Sequence, residues 1–338
     1  MLRMGVIGYG YWGPKIVRNF SSIAGVKVTT VCDREESALK QVRAAFPEVR
    51  LTCDSRDILA SPDIDAVAVV TPVSTHFEIA KEALLNGKHL FIEKPFTATA
   101  RQAEELIELA ERKNLTIMVD HTFLFTGAVR KIKELVDNDV LGNLLYFDSI
   151  RINLGLFQKD VNVIWDLAPH DLSIMHYLVG KKPVAVAATG ISHFNHLENV
   201  AYITLYFCGN LIAHFNVSWL SPVKIRTTLI GGEKKMVVWN DLVADEKLRV
   251  YDRGIEDNSG LSRETRHTML TKYRTGDMWC PRCDDIEALR AEAEYFVSCI
   301  DSGRRPINDG QSGLDVVRML EAAGTSLRQG GPVVYLNH

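Results

Sequence analysis

Glu93-Lys94-Pro95 and Trp165-Asp166-Leu167-Ala168-Pro169-His170-Asp171 hold residue types that could do chemistry. A lysine at the carboxyl end of a strand, preceded by an acid and followed by a proline that fixes the turn, can set an ammonium beside a substrate oxygen. The alternative is an ordinary loop lysine. Asp166 and His170 are four apart and so share a face of any helix that contains both. Histidine also titrates near neutral pH, as a proton-transfer group must. Pro169 suits an early helical position, which opens the helix near Trp165 and lets it run to about Val179. On that placement Asp166 is either a catalytic carboxylate or the helix N-cap. His170 is either an acid/base or a hydrogen-bonded core histidine.

A third stretch, Gly8-Tyr9-Gly10-Tyr11-Trp12-Gly13, spaces its glycines as G-x-G-x-x-G between an apolar run and a helical pattern. Gly8 allows a tight turn, Gly10 lets the backbone approach a pyrophosphate, and Gly13 lets the helix pack closely on the strand. The helix N-terminus then faces the phosphates. Tyr11 and Trp12 lie inside this loop and join the expected cofactor contacts. A second strand ends at Asp33, about 20 residues beyond Gly13, where an acid binds the adenosine ribose hydroxyls. Asp33 would repel a 2′-phosphate and so favours NAD, while the adjacent Arg34 keeps NADP open.

The elements that must position these residues follow from the pattern. From residue 1 to about 121, β-branched runs alternate with helical segments, which predicts parallel strands joined by crossover helices. Strands are expected at Leu2–Ile7, Val26–Cys32, Arg50–Thr52, Ala66–Val70, His89–Ile92 and Thr116–Val119. Helices are expected at 11–22, 35–46, 74–86 and 98–113. Ligands of such a sheet bind beyond the carboxyl ends of its strands, so Gly8 to Gly13, Asp33, Thr71, Pro72, Glu93, Lys94, Pro95, Asp120 and His121 form one rim. Thr71, Pro72 and His76 either line the cofactor or belong to a capped helix start.

From 122 to 338 the rhythm changes to longer alternating runs, including Tyr202–Phe207 and His214–Trp219. These predict a large, mostly antiparallel sheet with one covered face. The fold class expected is therefore α/β: a Rossmann domain over 1–121, then an α+β substrate and oligomerisation domain whose last helices can pack back toward the first. A sheet face without helices to cover it predicts a homodimer or homotetramer.

Composition excludes other classes. A net charge of −3, with charges interspersed, offers no field for nucleic acid. No apolar run reaches the length of a membrane span, and Met1 leads almost at once into the first strand, so a cytoplasmic location is expected. Six scattered cysteines suit a reducing compartment. Cys280-Pro-Arg-Cys283 alone has a suggestive spacing, but no second pair of ligands matches it, and no metal is expected.

Taken together, Gly8 to Gly13, Glu93-Lys94-Pro95 and the Asp166/His170 element resemble the glucose–fructose oxidoreductase and inositol dehydrogenase (Gfo/Idh/MocA) family across essentially the whole chain. The resemblance implies NAD(P)-dependent oxidation of a secondary alcohol of a sugar or polyol, or the reverse. It implies that Lys94 polarises the reacting oxygen, His170 exchanges the hydroxyl proton, and Asp166 binds a neighbouring hydroxyl or orients the site. Many relatives carry glycines around the aspartate where this chain has Val163-Ile164-Trp165 and Leu167-Ala168-Pro169. The run Trp165 to Ile174, with Tyr273-Arg274-Thr275-Gly276-Asp277, most resembles members from bacterial nucleotide-sugar and surface-polysaccharide pathways. Arg226, Arg266, Lys272 and Arg274 are candidates to hold a diphosphate, or are solvated charges. A free inositol or simple sugar is the alternative substrate, and a non-catalytic nucleotide-binding regulator is the alternative class.

Overall fold

The computed structural model describes residues 1–155, 157–158, 160–194, 196–255 and 273–336. Two compact units make up the chain: Met1–Thr126 with Ile286–Glu321, and Gly127–Asp285 with Ala322–His338.

In the first unit, β1 (Leu2–Ile7), β2 (Val26–Cys32), β3 (Arg50–Thr52), β4 (Ala66–Val69), β5 (His89–Glu93) and β6 (Ile117–Asp120) form one sheet. Its order is β3-β2-β1-β4-β5-β6, with every pairing parallel. Between the strands run α1 (Gly13–Ser21), α2 (Glu36–Ala45), α3 (Arg56–Leu59), α4 (Val73–Leu85) and α5 (Ala100–Lys113). All four residues of β4 are buried, as a strand covered on both faces requires. The α5 helix begins later than position 98 because Thr99 accepts a hydrogen bond from the Gln102 N–H and so caps it. The short α3 and a 3₁₀ turn at Thr122–Phe125 carry no periodic signal and were not expected.

The second unit opens with α6 (Gly127–Asp137) and β7 (Leu144–Leu154) and continues into α7 (Val163–Val179). Then follow β8 (Ala185–Ile191), β9 (Val200–Tyr206), β10 (Ile212–Ser218), β11 (Leu220–Gly232), β12 (Met236–Asn240), β13 (Leu248–Ile255) and β14 (Tyr273–Trp279). With β15 (Val334–Tyr335) they form a sheet of order β14-β13-β12-β11-β7-β10-β9-β8-β15. Among these pairings only β7 with β10 is parallel. The β11 register slips between Leu220 and Ile225, where Pro222 cannot join the ladder. On β9 and β10, Ala201, Ile203, Leu205, Ala213, Phe215 and Val217 are buried, and α7 packs on this sheet. The alternate residues Tyr202, Tyr206 and Ile212 are exposed.

The chain closes with α8 (Ala288–Ser302) and α9 (Gly310–Arg328). Residues 286–321 belong to the first unit, where Phe296 of α8 meets Phe20 and Phe91 edge to face. Among the described residues, no helix is long and apolar enough to cross a membrane.

Candidate active site

At the end of β1 the three glycines do three separate jobs. Gly8 has φ +100°, and a Cβ there would lie 2.4 Å from the Val70 carbonyl oxygen. A Cβ on Gly13 would lie 2.7 Å from the Gly8 carbonyl oxygen, so only glycine lets α1 start this close to β1. A Cβ on Gly10, by contrast, would meet no protein atom within 4 Å. Trp12 caps α1 without a side-chain bond, and Pro14 sits in the first turn, so the leading N–H groups of α1 have no side-chain acceptor from their own cap. This is the cradle that a pyrophosphate fits.

The carboxylate of Asp33 is fixed beside that cradle. It accepts from the Tyr9 N–H at 2.6 Å and from the Glu35 N–H at 2.8 Å, which leaves each oxygen lone-pair capacity for a ribose hydroxyl. Arg34 is exposed next to it. Tyr11 is 85% exposed, and the Lys15 ammonium lies over the Tyr11 and Trp12 rings. The Trp12 indole donates to Asp120 Oδ2 at 2.9 Å, tying the loop to the end of β6. Asp120, one of the rim residues expected from the sequence, also accepts from the Thr122 hydroxyl and N–H.

Thr71 and Pro72 stand at the end of β4, where Thr75 Oγ1 donates to the Thr71 hydroxyl. His76, in the first turn of the helix that follows, faces away from solvent. It is 1% exposed, and its two ring nitrogens face backbone carbonyls of Thr71, Pro95 and Phe96. The helical turn directs its ring inward, a direction that spacing alone does not reveal. Glu93 ends β5 and Lys94 follows it, half-buried, with Pro95 and Phe96 buried beyond. His121 is buried at the end of β6. A groove of about 470 Å³ lined by His89, Thr116 and Arg304 lies at the amino ends of β5 and β6, opposite the rim where such a sheet binds dinucleotides.

In the second unit the chemistry sits on α7. Asn162, not Asp166, caps this helix by accepting from the Trp165 N–H at 3.2 Å. The helix therefore begins at Val163, and Pro169 falls in its interior rather than in an early position. There it lacks an N–H for the Trp165 carbonyl. Asp166 is thereby released from capping. Its Oδ2 accepts from the Trp219 indole at 3.0 Å. His170 follows one turn later on the same face, half-buried. Phe157 packs against Trp219, and Phe194 packs against Phe157. These aromatic residues are separated in sequence and carried no motif.

Beneath this face, Arg151 of β7 makes a two-pronged bond to Asp171, at 2.7 and 2.8 Å. Both side chains are almost fully buried. Burial alone would lower the arginine's pKa, but the adjoining Asp171 carboxylate outweighs it and holds the guanidinium above its ordinary range.

The described candidates for holding a diphosphate are held in ion pairs of their own. Arg226 pairs with Asp241 at 3.3 Å, and Arg274 pairs with Asp252 at 3.2 Å. Arg266 and Lys272 lie outside the described residues. Cys280 and Cys283 are unbridged thiols, and burial raises the pKa of the Cys283 thiol.

Residues 2–121 match the family model described as the oxidoreductase family, NAD-binding Rossmann fold, and residues 129–238 match the GFO/IDH/MocA C-terminal domain. The chain is 27% identical over 329 residues to UDP-N-acetylglucosamine 3-dehydrogenase of Acidithiobacillus ferrooxidans, covering 94% of each. A solved structure of that enzyme superposes with a TM-score of 0.82 at 25% identity, covering 97% of this chain and 98% of the other. The chain is also 25% identical over 350 residues to scyllo-inositol 2-dehydrogenase (NAD(+)) of Bacillus subtilis, covering 98% and 96%.

Proposed function

The chain belongs to the GFO/IDH/MocA family of oxidoreductases, and from that premise we propose that it oxidises a secondary alcohol of a nucleotide-linked sugar, at C3, or reduces the matching ketone. It is an NAD-binding sugar oxidoreductase; the particular sugar and carbon are the proposal. NAD, when bound, supplies the hydride acceptor. The Gly8–Gly13 turn, the start of α1 and Asp33 would hold it. His170 takes the hydroxyl proton as the alcohol is oxidised and returns it in the reverse direction. Lys94 stabilises the charge that develops on the reacting oxygen. Asp166, steadied by the Trp219 indole, accepts a hydrogen bond from a neighbouring sugar hydroxyl.

The observation that carries this reading is a carboxylate and an imidazole one turn apart on one face of α7, with Asn162 as the helix cap. Similarity over 94% of both chains to an enzyme named for UDP-N-acetylglucosamine supports the nucleotide sugar. The inositol reading has support of its own in the scyllo-inositol 2-dehydrogenase likeness.

A panel of UDP-sugars, free sugars and inositols, followed by absorbance of the reduced nicotinamide, separates these readings. Turnover with a UDP-linked sugar supports the proposal. Turnover confined to inositols favours the second reading. Cofactor binding without turnover on any member favours a nucleotide-binding regulator.

A further inference from the structure

His76 sits in the first turn of α4, 1% exposed, between two turns at the carboxyl rim of the first unit. Its Nε2 lies 2.8 Å from the Thr71 carbonyl oxygen, beyond β4. Its Nδ1 lies 3.0 Å from the Pro95 oxygen and 3.3 Å from the Phe96 oxygen, in the turn that follows Lys94. Every one of these partners is an acceptor. The ring therefore bridges the turn after β4 and the turn that carries Lys94.

Burial, the largest influence, pushes the imidazole pKa below its ordinary range and so favours the neutral ring, which carries a single N–H. Placing that proton on Nε2 would satisfy the Thr71 carbonyl and leave the Nδ1 lone pair facing two oxygens. Placing it on Nδ1 gives two oxygens a shared donor and leaves one facing a lone pair. Electrostatics favours the second arrangement.

On this geometry we infer that His76 is a positioning residue for Lys94: its Nδ1–H, shared by the Pro95 and Phe96 carbonyls, fixes the turn from which the lysine side chain extends. This rests on the reading of Lys94 as the group that stabilises the reacting oxygen. Without the donor, two buried carbonyls lose their partner and the turn relaxes to find another. A displacement of about 1 Å at a reacting group costs on the order of 10²-fold in rate.

The test uses the full-length enzyme with NAD and the sugar that it oxidises fastest in the panel above. His76→Asn keeps an amide donor near the Nδ1 position, His76→Gln moves it toward the Nε2 position, and His76→Leu removes it. Expected are a kcat within about threefold of wild type for His76→Asn, and losses of about tenfold or more for the other two. The KM for NAD should stay within about threefold throughout, because the link to Thr71 carries no proton. A wild-type kcat in a folded His76→Leu protein overturns the inference, as does rescue by Gln in place of Asn.

Lys94→Ala separates this inference from its premise. If that variant turns over normally, or if no sugar reduces NAD, the reading of Lys94 fails and the inference fails with it. If Lys94→Ala is crippled while His76→Leu is not, only the positioning role fails. Should His76→Leu not fold, long-range ¹H–¹⁵N correlation of the wild-type imidazole decides: a proton on Nδ1 supports the inference, and one on Nε2 overturns it.

Discussion

Lys94 and Glu292 make opposite demands on charge at the residue scale. Lys94→Ala removes the ammonium that we assign to the reacting oxygen, so hydride transfer should slow by about 10² or more. Cofactor affinity should stay nearly intact, because the glycine turn and Asp33 are untouched. Near-normal turnover in single-turnover kinetics would refute the role. Glu292 is fully buried on α8, and its Oε1 accepts from Asn308 at 2.7 Å. Burial first, and then the nearby Asp120 and Glu93 carboxyls, raise its pKa well above the ordinary carboxylate value. The folded protein therefore keeps a proton that the unfolded chain releases near pH ~4.3. Stability must fall as pH rises from there toward the folded-state pKa. Glu292→Gln should thus melt higher than wild type at pH 8, by about 2 °C or more, with the gap closing toward pH 4. A gap that is the same at both pH values would contradict this.

At the scale of the element, α7 shows how a helix start decides which side chains are available. Capping by Asn162 moves the first turn ahead of Asp166, and the interior Pro169 is the cost. The buried Arg151–Asp171 pair fastens this helix to β7 directly beside His170. Removing one partner strands a charge in the interior, so Arg151→Met should destabilise the protein by about 3–5 kcal/mol in denaturant titrations. The double change Arg151→Met with Asp171→Leu should recover most of that. A single variant no less stable than the double would show that the pair does not anchor the helix. Either single change should also reduce kcat, since the face bearing His170 would lose its support.

For the whole molecule, the feature that asks for a partner is the second sheet. Its covered face carries Phe215 and Val217, while Tyr202, Tyr206 and Ile212 on the other face are 44%, 36% and 42% exposed. Tyr206 and Ile212 are direct cross-strand partners and so form an exposed apolar pair, with Tyr202 further along the same face, stacked on His214. We propose that this face pairs copies of the chain into a dimer or tetramer. Sedimentation at micromolar concentration should give an oligomer, and Tyr206→Glu with Ile212→Lys should shift it toward monomer. A monomeric wild-type protein would sink the proposal.

Much of this was legible in the chain itself. The G-x-G-x-x-G turn, the acid after β2 and the alternation of strands with helices depend on residues close together in sequence. Backbone sterics and side-chain periodicity therefore announce them locally. The stops were legible too: Gly87, just past α4, has φ +72°, as a left-handed residue after a helix should. What could not be read locally was set by distant contacts. His76 carries the spacing of a rim residue, yet backbone oxygens 19 and 20 positions away turn it inward. Trp12 is tied to Asp120 across 108 positions, and Asp166 to Trp219 across 53. A cap competes with its neighbours by differences of about 1 kcal/mol, too small for pattern alone to rank Asn162 over Asp166. The sequence by itself determined the dinucleotide fold and the kinds of group available for catalysis. Only the tertiary structure decided which of those groups are held and by what, because a side chain's direction and burial are set by partners that the local chain does not contain.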